Sequence, residues 1–102
     1  MVELREYLEQ AVAKQASDLF FVAGGPVNEK VEGIISPIDD KRLLPADTEK
    51  IVAEIYAAAN RSMDEFLKTG DDDFSLTMPG LARFRVNTYR QRGSVAAVIR
   101  AR

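Results

Sequence analysis

Asp73-Phe74-Ser75-Leu76-Thr77-Met78, then Pro79-Gly80-Leu81, then Ala82-Arg83-Phe84-Arg85-Val86-Asn87 is the stretch that decides the fold. The first six residues alternate strictly and Pro79-Gly80 marks a turn. Phe84 and Val86 then alternate with Arg83, Arg85, Asn87 and Tyr89, so the reading is a β-hairpin. Residues paired across an antiparallel ladder share a face, and a one-residue slip would set arginines against phenylalanines. Matching Phe74, Leu76 and Met78 with Phe84 and Val86 requires an odd number of loop residues, most simply three. In that register Arg83, Arg85, Asn87 and Tyr89 share the outer face with Asp73, Ser75 and Thr77. Arg83 and Arg85, two residues apart on a strand, then present guanidinium groups about 7 Å apart.

Downstream, Arg90, Arg92 and Gly93 read as the next turn, and Ser94-Val95-Ala96-Ala97-Val98-Ile99 as a last strand with Arg100 near its end. Upstream, Ser62 and Glu65 have the spacing of a capping box. Met63, Phe66 and Leu67 give the short helix behind it a buried stripe, and Gly70 stops it. Ile51, Val52, Ile55, Tyr56 and Ala59 recur at helical spacing after Pro45, Asp47 and Glu49, and predict a second, longer helix. Asp39-Asp40-Lys41-Arg42 is a polar loop. Val27 to Ile35, interrupted at Gly33, reads as a hairpin that ends near Pro37. Leu19-Phe20-Phe21-Val22, closed by Gly24-Gly25-Pro26, predicts a buried strand with Phe20 and Phe21 in the core. Leu4, Tyr7, Leu8, Ala11 and Val12 mark one stripe of an amphipathic first helix. The order of helix, strands, helices and strands implies an α+β domain: about three helices on one face of a mainly antiparallel sheet, with the other face polar. No repeat or linker divides residues 1–102, which read as one domain.

A chain of 102 residues, 46% hydrophobic and 29% charged, buries roughly two-thirds of its unfolded surface and needs no disulfide or metal to hold a core. It contains no Cys and no His, which excludes thiol and imidazole catalysis, Cys-ligated zinc and the commonest metal ligand. The charged start and the short, interrupted apolar runs predict neither a signal peptide nor a membrane span. The net charge of −2 hides an asymmetry: −8 over residues 1–80 and +6 over residues 81–102, where every base is arginine. Arginine's planar fork suits bidentate contacts to carboxylate or phosphate. The arginines therefore either meet an anionic partner or pair with acids elsewhere in the fold.

Other chemistry is thinner. Asp71-Asp72-Asp73 lacks the alternating ligands of a calcium loop and reads as a solvated strand entry. Gly24-Gly25 is followed by Pro26, which has no N–H to offer a phosphate, and reads as a turn. Paired carboxylates for hydrolysis have no evident cleft, so the domain on its own is not expected to be an enzyme. With Phe84 turned inward, Tyr89 is left as the only expected stacking ring, and the acidic first 80 residues repel a polyanion, so no nucleic acid is expected. A compact, multiply charged ligand such as a nucleotide's phosphates fits the arginines better.

In one order the chain carries Ala16-Ser17-Asp18-Leu19, a Gly turn with Pro26, Asp73-Phe74-Ser75-Leu76, Pro79-Gly80-Leu81-Ala82-Arg83-Phe84-Arg85-Val86-Asn87, Arg92-Gly93, and Ala97-Val98-Ile99-Arg100. From about Leu4 to Arg100 this resembles the N-terminal domain of the PilT-type twitching-motility ATPases, of the type II/IV secretion ATPase superfamily. Phe20 stands where that family commonly has His, and Val27 where a second Pro often follows the first. The resemblance implies a PAS-like fold and a parent that is a homo-hexameric, ATP-driven pilus retraction motor using ATP and Mg²⁺. It implies a following RecA-like domain, of the same chain and of neighbouring subunits, which holds the P-loop and catalytic residues and shares a nucleotide site with this one. It implies a cytoplasmic place, peripheral to the inner membrane through the pilus or secretion machinery. Carried over by motif, the phosphate contacts are Arg83 and Arg85, with Arg92 and Arg100 as further candidates matched less closely by motif; no metal ligand or catalytic residue is implied here. The alternatives are a free-standing PAS-like module binding an anionic ligand, the equivalent domain of a secretion ATPase, and a structural adaptor whose arginines only pair with acids on a neighbour.

Overall fold

The computed structural model describes residues 3–101. Along the chain run α1 (Leu4–Ala13), β1 (Asp18–Phe21), β2 (Asn28–Val31), β3 (Ile34–Pro37), α2 (Pro45–Ala59), α3 (Asp64–Thr69), β4 (Asp71–Met78), β5 (Ala82–Gln91) and β6 (Ser94–Ala101). All six strands form one antiparallel sheet in the order β3-β2-β1-β6-β5-β4. The β4–β5 register pairs Phe74 with Val86, Leu76 with Phe84 and Met78 with Ala82. Pro79, Gly80 and Leu81 are therefore the three-residue loop that the core requires, and Gly80 takes the left-handed φ of 77° the turn needs.

Leu19, Phe21, Leu76, Phe84, Val86 and Ile99 make the inner face of the sheet, each almost fully buried. Leu4, Tyr7, Leu8 and Ala11 of α1, Ile51, Val52, Ile55 and Tyr56 of α2, and Phe66 of α3 cover it. The ends of the helices are fixed locally. The Asp47 carboxylate accepts the Leu44 N–H at 2.8 Å at the start of α2, and Glu54 Oε2 accepts the Leu4 N–H at 3.2 Å, tying α1 to α2. Asn60 and Gly70 end α2 and α3 in left-handed conformation.

The structure corrects several local expectations. β1 alternates instead of lying wholly buried: Leu19 and Phe21 point inward, while Phe20, opposite Val98 and Asn28, is half-buried on the outer face. The outer face thus carries two rings, Phe20 and Tyr89. α3 begins at Asp64, and Ser62 Oγ accepts the Asp64 N–H at 3.1 Å without forming the reciprocal box with Glu65. So short a helix buries only Phe66, and Leu67 is exposed. β5 runs through Arg90, so the next turn is Arg92-Gly93 alone. Arg90 turns to the helix side, where it donates to the Leu67 carbonyl at 3.1 Å and lies over the Phe66 ring.

The largest correction concerns the aspartates. β4 starts at Asp71, two residues before the alternation becomes evident, so Asp72 points inward and is 7% exposed. Its carboxylate accepts both Arg61 Nε (3.0 Å) and Nη2 (2.9 Å) and the Tyr56 hydroxyl (2.8 Å). With Tyr56 donating to Asp72, the Thr88 hydroxyl donates to Tyr56 at 2.8 Å, and the Arg61 guanidinium covers the Phe74 ring at 4.9 Å. Among the described residues no buried side-chain polar atom lacks a partner. This network pins the edge strand β4 to α2.

Asp72→Ala removes the acceptor shared by the network and should cost about 2–3 kcal/mol in urea unfolding. Asp73→Ala, on the exposed side of the same strand, should change stability by about 0.5 kcal/mol or less. Burial first, then the Asp72 carboxylate, pushes the Tyr56 phenol up to about 12 despite the opposing Thr88 bond. A raised folded-state value favours the protonated phenol, so its contribution is whole below the unfolded value near 10 and is lost as pH rises toward 12. Tyr56→Phe should therefore flatten the alkaline limb of stability between about pH 10 and 12. An unchanged limb would show that the phenol does not titrate in this way.

Candidate anion site on the open face of the sheet

The outer face carries no helix, and its register brings distant charges into one row. Asp18 of β1 lies opposite Arg100 of β6, and Arg100 lies opposite Arg85 of β5, which in turn faces Ser75 of β4. Two arginines paired directly across a ladder repel each other, and each turns away toward an acid on its far side. Arg85 closes a two-pronged contact with Asp73, Nε to Oδ1 at 3.0 Å and Nη2 to Oδ2 at 3.1 Å. Arg100 Nε donates to Asp18 Oδ2 at 3.2 Å. Between them opens a cleft of about 160 Å³ lined by Asp73, Arg85, Asn87, Val98 and Arg100. Asn87 forms a fixed part of its wall, because its amide donates to Asp71 Oδ1 at 3.1 Å and the Asp72 carbonyl at 2.8 Å.

The electrostatics are those of an exposed, half-satisfied pair of cations. The hydrogen bonds from Arg85 hold the Asp73 carboxyl below its ordinary value and raise the Arg85 guanidinium above its own. Both side chains of that pair are about half exposed, and Arg100 is 69% exposed. An exposed ion pair such as Arg85–Asp73 contributes between nothing and about 1 kcal/mol, so Arg85 is not held strongly, whereas Arg100 is tied to Asp18, whose side chain is only 15% exposed.

Of the four arginines singled out in the sequence, the structure brings Arg85 and Arg100 together. Arg83 stands on the same strand and face, opposite Thr77, exposed and with no ion pair among the described residues. Arg85 is not the open side chain that the sequence leads one to expect, since Asp73 already occupies its fork. Arg92 lies elsewhere. It takes a left-handed φ of 48° in the β5–β6 turn, about 20 Å along the strand from Arg85. There it lines a separate cleft of about 310 Å³ that includes Arg42, Gly24, Gln91 and Ser94. Asp18 as the partner of Arg100 and Arg42 as the companion of Arg92 were not evident from the sequence; only strand pairing and loop packing bring them there. No group of three His, Cys, Asp or Glu side chains among the described residues is placed to hold a metal ion. No described helix is long and apolar enough to cross a membrane.

Comparison with known proteins places the domain. No family model matches the chain. The type IV pilus ATPase PilU of Pseudomonas aeruginosa is 32% identical over 99 residues, covering 97% of this chain and 25% of PilU. The type IV pilus retraction ATPase PilT of the same organism is 36% identical over 103 residues, covering 97% of this chain and 28% of PilT. A crystal structure of the pilus retraction motor PilT with bound ADP superposes with a TM-score of 0.86 at 33% identity, over 99% of this chain and 29% of that one. The ATPase DotB of Legionella pneumophila, at 23% identity, shares the fold with a TM-score of 0.78 over 96% of this chain and 28% of its own. The chain spans about a quarter of the length of the curated relatives it matches. In sequence and in its six-stranded α+β architecture, the chain is similar over nearly its whole length to the N-terminal part of the PilT-type pilus ATPases.

Proposed function

We propose that this domain lends Arg85 and Arg100, with Arg83 beside them, to the phosphates of a nucleotide held chiefly by an ATPase domain that packs on the open face of the sheet. The observation that carries this reading is the Arg85–Arg100 pair: two guanidinium groups opposed across the central strands beside an open cleft, on the one face the helices leave bare. The relatives are ATPases, and one is solved with ADP. In this reading residues 1–102 form one regulatory and mechanical domain of a hexameric, ATP-driven motor for pilus retraction or secretion. A RecA-like domain supplies the P-loop and holds Mg²⁺, and the assembly works at the cytoplasmic side of the inner membrane. Arg forks that neutralise the terminal phosphate make domain closure depend on which nucleotide is bound. Arg92, at the far end of β5, would then act at a different contact, with a neighbouring domain or subunit, and no nucleic acid is a partner.

Two experiments test the reading. Calorimetry on residues 1–102 should show ATP binding no tighter than about 1 mM, because most phosphate donors belong to the other domain; micromolar binding would refute a divided site. In the protein joined to its ATPase domain, Arg85→Ala and Arg100→Ala should each lower ATP turnover by roughly a hundredfold or more. Arg85 is exposed and paired with an exposed acid, so the melting temperature of Arg85→Ala should change little, while Arg100→Ala, which strips the 15%-exposed Asp18 of its cation, should lower it modestly without unfolding the domain. Turnover at the unsubstituted level in both variants would remove the arginines from the nucleotide site.

A further inference from the structure

We propose that Asp18 and Asp73 are stand-ins for phosphate oxygens: they hold Arg100 and Arg85 at the edges of the cleft and give them up only to an anion carrying more than one negative charge. This deepens, and rests on, the assignment of these arginines to a phosphate ligand. Across β1, β6, β5 and β4 the charges run acid, arginine, arginine, acid. Direct opposition of two arginines is unfavourable, and the flanking carboxylates relieve it by drawing the two guanidinium groups apart. The row is then locally neutral. A monoanion entering the cleft would replace one carboxylate by an equivalent charge, gaining nothing to offset the cost of association. A terminal phosphate offers more charge and three acceptor oxygens, enough to engage both forks from the gap between them.

The released carboxylates have somewhere to go. Asp73 is half exposed and returns to water. Asp18, whose side chain is only 15% exposed, also accepts the Ser17 hydroxyl at 2.7 Å and keeps that bond when Arg100 leaves, so it is the costlier of the two to release. The remaining wall does not compete for the phosphate: Val98 is apolar and the Asn87 amide is committed to Asp71 and the Asp72 carbonyl. Asp18 and Asp73 are thus positioning residues, acting on the ligand through the arginines, and their effect is on selectivity among anions.

The test is an NMR titration of the 102-residue chain with sodium tripolyphosphate and, in parallel, sodium acetate. The unsubstituted chain should bind tripolyphosphate weakly, near 1 mM, and acetate not measurably. Losing one stand-in should tighten tripolyphosphate about threefold, and the double variant Asp18→Asn/Asp73→Asn about tenfold, with shifts centred on Arg85, Asn87, Val98 and Arg100. Acetate should become detectable in the double variant. Adding Arg85→Gln and Arg100→Gln should abolish the gain. If Asp18→Asn unfolds the chain, Asp73→Asn alone, at an exposed position, carries the test. Unchanged tripolyphosphate affinity in the folded variants, or a gain that survives loss of both arginines, would overturn the proposal. Turnover separates this from the reading beneath it. Tighter tripolyphosphate binding with turnover indifferent to Arg85 and Arg100 would sink the nucleotide assignment and leave the charge-gated site standing. Turnover that collapses without Arg85, alongside titrations unmoved by the aspartate variants, would do the reverse.

Discussion

Phe84, Val86 and Ile99 are buried on one side of the strands that carry Arg85 and Arg100 on the other, and that burial is what keeps two like charges opposed. A strand cannot slide by one residue to separate the arginines without exposing those apolar side chains, each a loss of roughly 1.5–3 kcal/mol. The repulsion between two exposed guanidinium groups is smaller than that, so the core wins and the surface adjusts. Asp18 and Asp73 are the adjustment. The geometry of the open face is in this sense a by-product of the closed one, and the cleft exists because the hydrophobic register allows no other placement.

The three consecutive aspartates show how one residue type acquires three roles from strand alternation alone. Asp71 and Asp73 lie on the outer face, the first bonded by the Asn87 amide and the second by the Arg85 fork. Asp72 points between the helices, where Arg61 holds its carboxyl below the ordinary range and Tyr56 and Thr88 complete its surroundings. One carboxylate anchors the edge of the sheet to α2 while its neighbour, one residue on, partners a candidate ligand-binding arginine. The anchor gives β4 a fixed position, and Asp73 inherits it.

Much of this was legible in the sequence, for reasons that can be named. Leu4, Tyr7, Leu8 and Ala11 are spaced at 3.6 residues and the β4–β5 residues at two, so helix, hairpin and loop length followed from periodicity and parity. The same parity put Arg83 and Arg85 on the outer face. The outward position of Phe20 is hidden in the sequence because four apolar residues in a row carry no period, and only pairing with β2 and β6 shows which of them point inward. Asp72 escapes a reading from the sequence because the alternation is evident only from Asp73, while the strand itself starts at Asp71. The partnerships of Arg85 with Asp73 and of Arg100 with Asp18 join residues 12 and 82 positions apart. The first lies within the hairpin, whose register already sets Arg85 and Asp73 on one face; the second follows only from the strand order, which places the last strand between the first and the fifth.

That same strand order has a mechanical side. β6 is held by ladders on both flanks, to β1 and to β5, and the Ala101 N–H extends the first of these to the Ser17 carbonyl at 3.0 Å. Tension applied along its axis would load both sets of backbone bonds in shear, many at once, whereas a strand at the rim would peel open one rung after another. The strand that carries Arg100 is therefore a stiff tether, as is β5 beside it, which carries Arg85 and is held by ladders to β4 and β6.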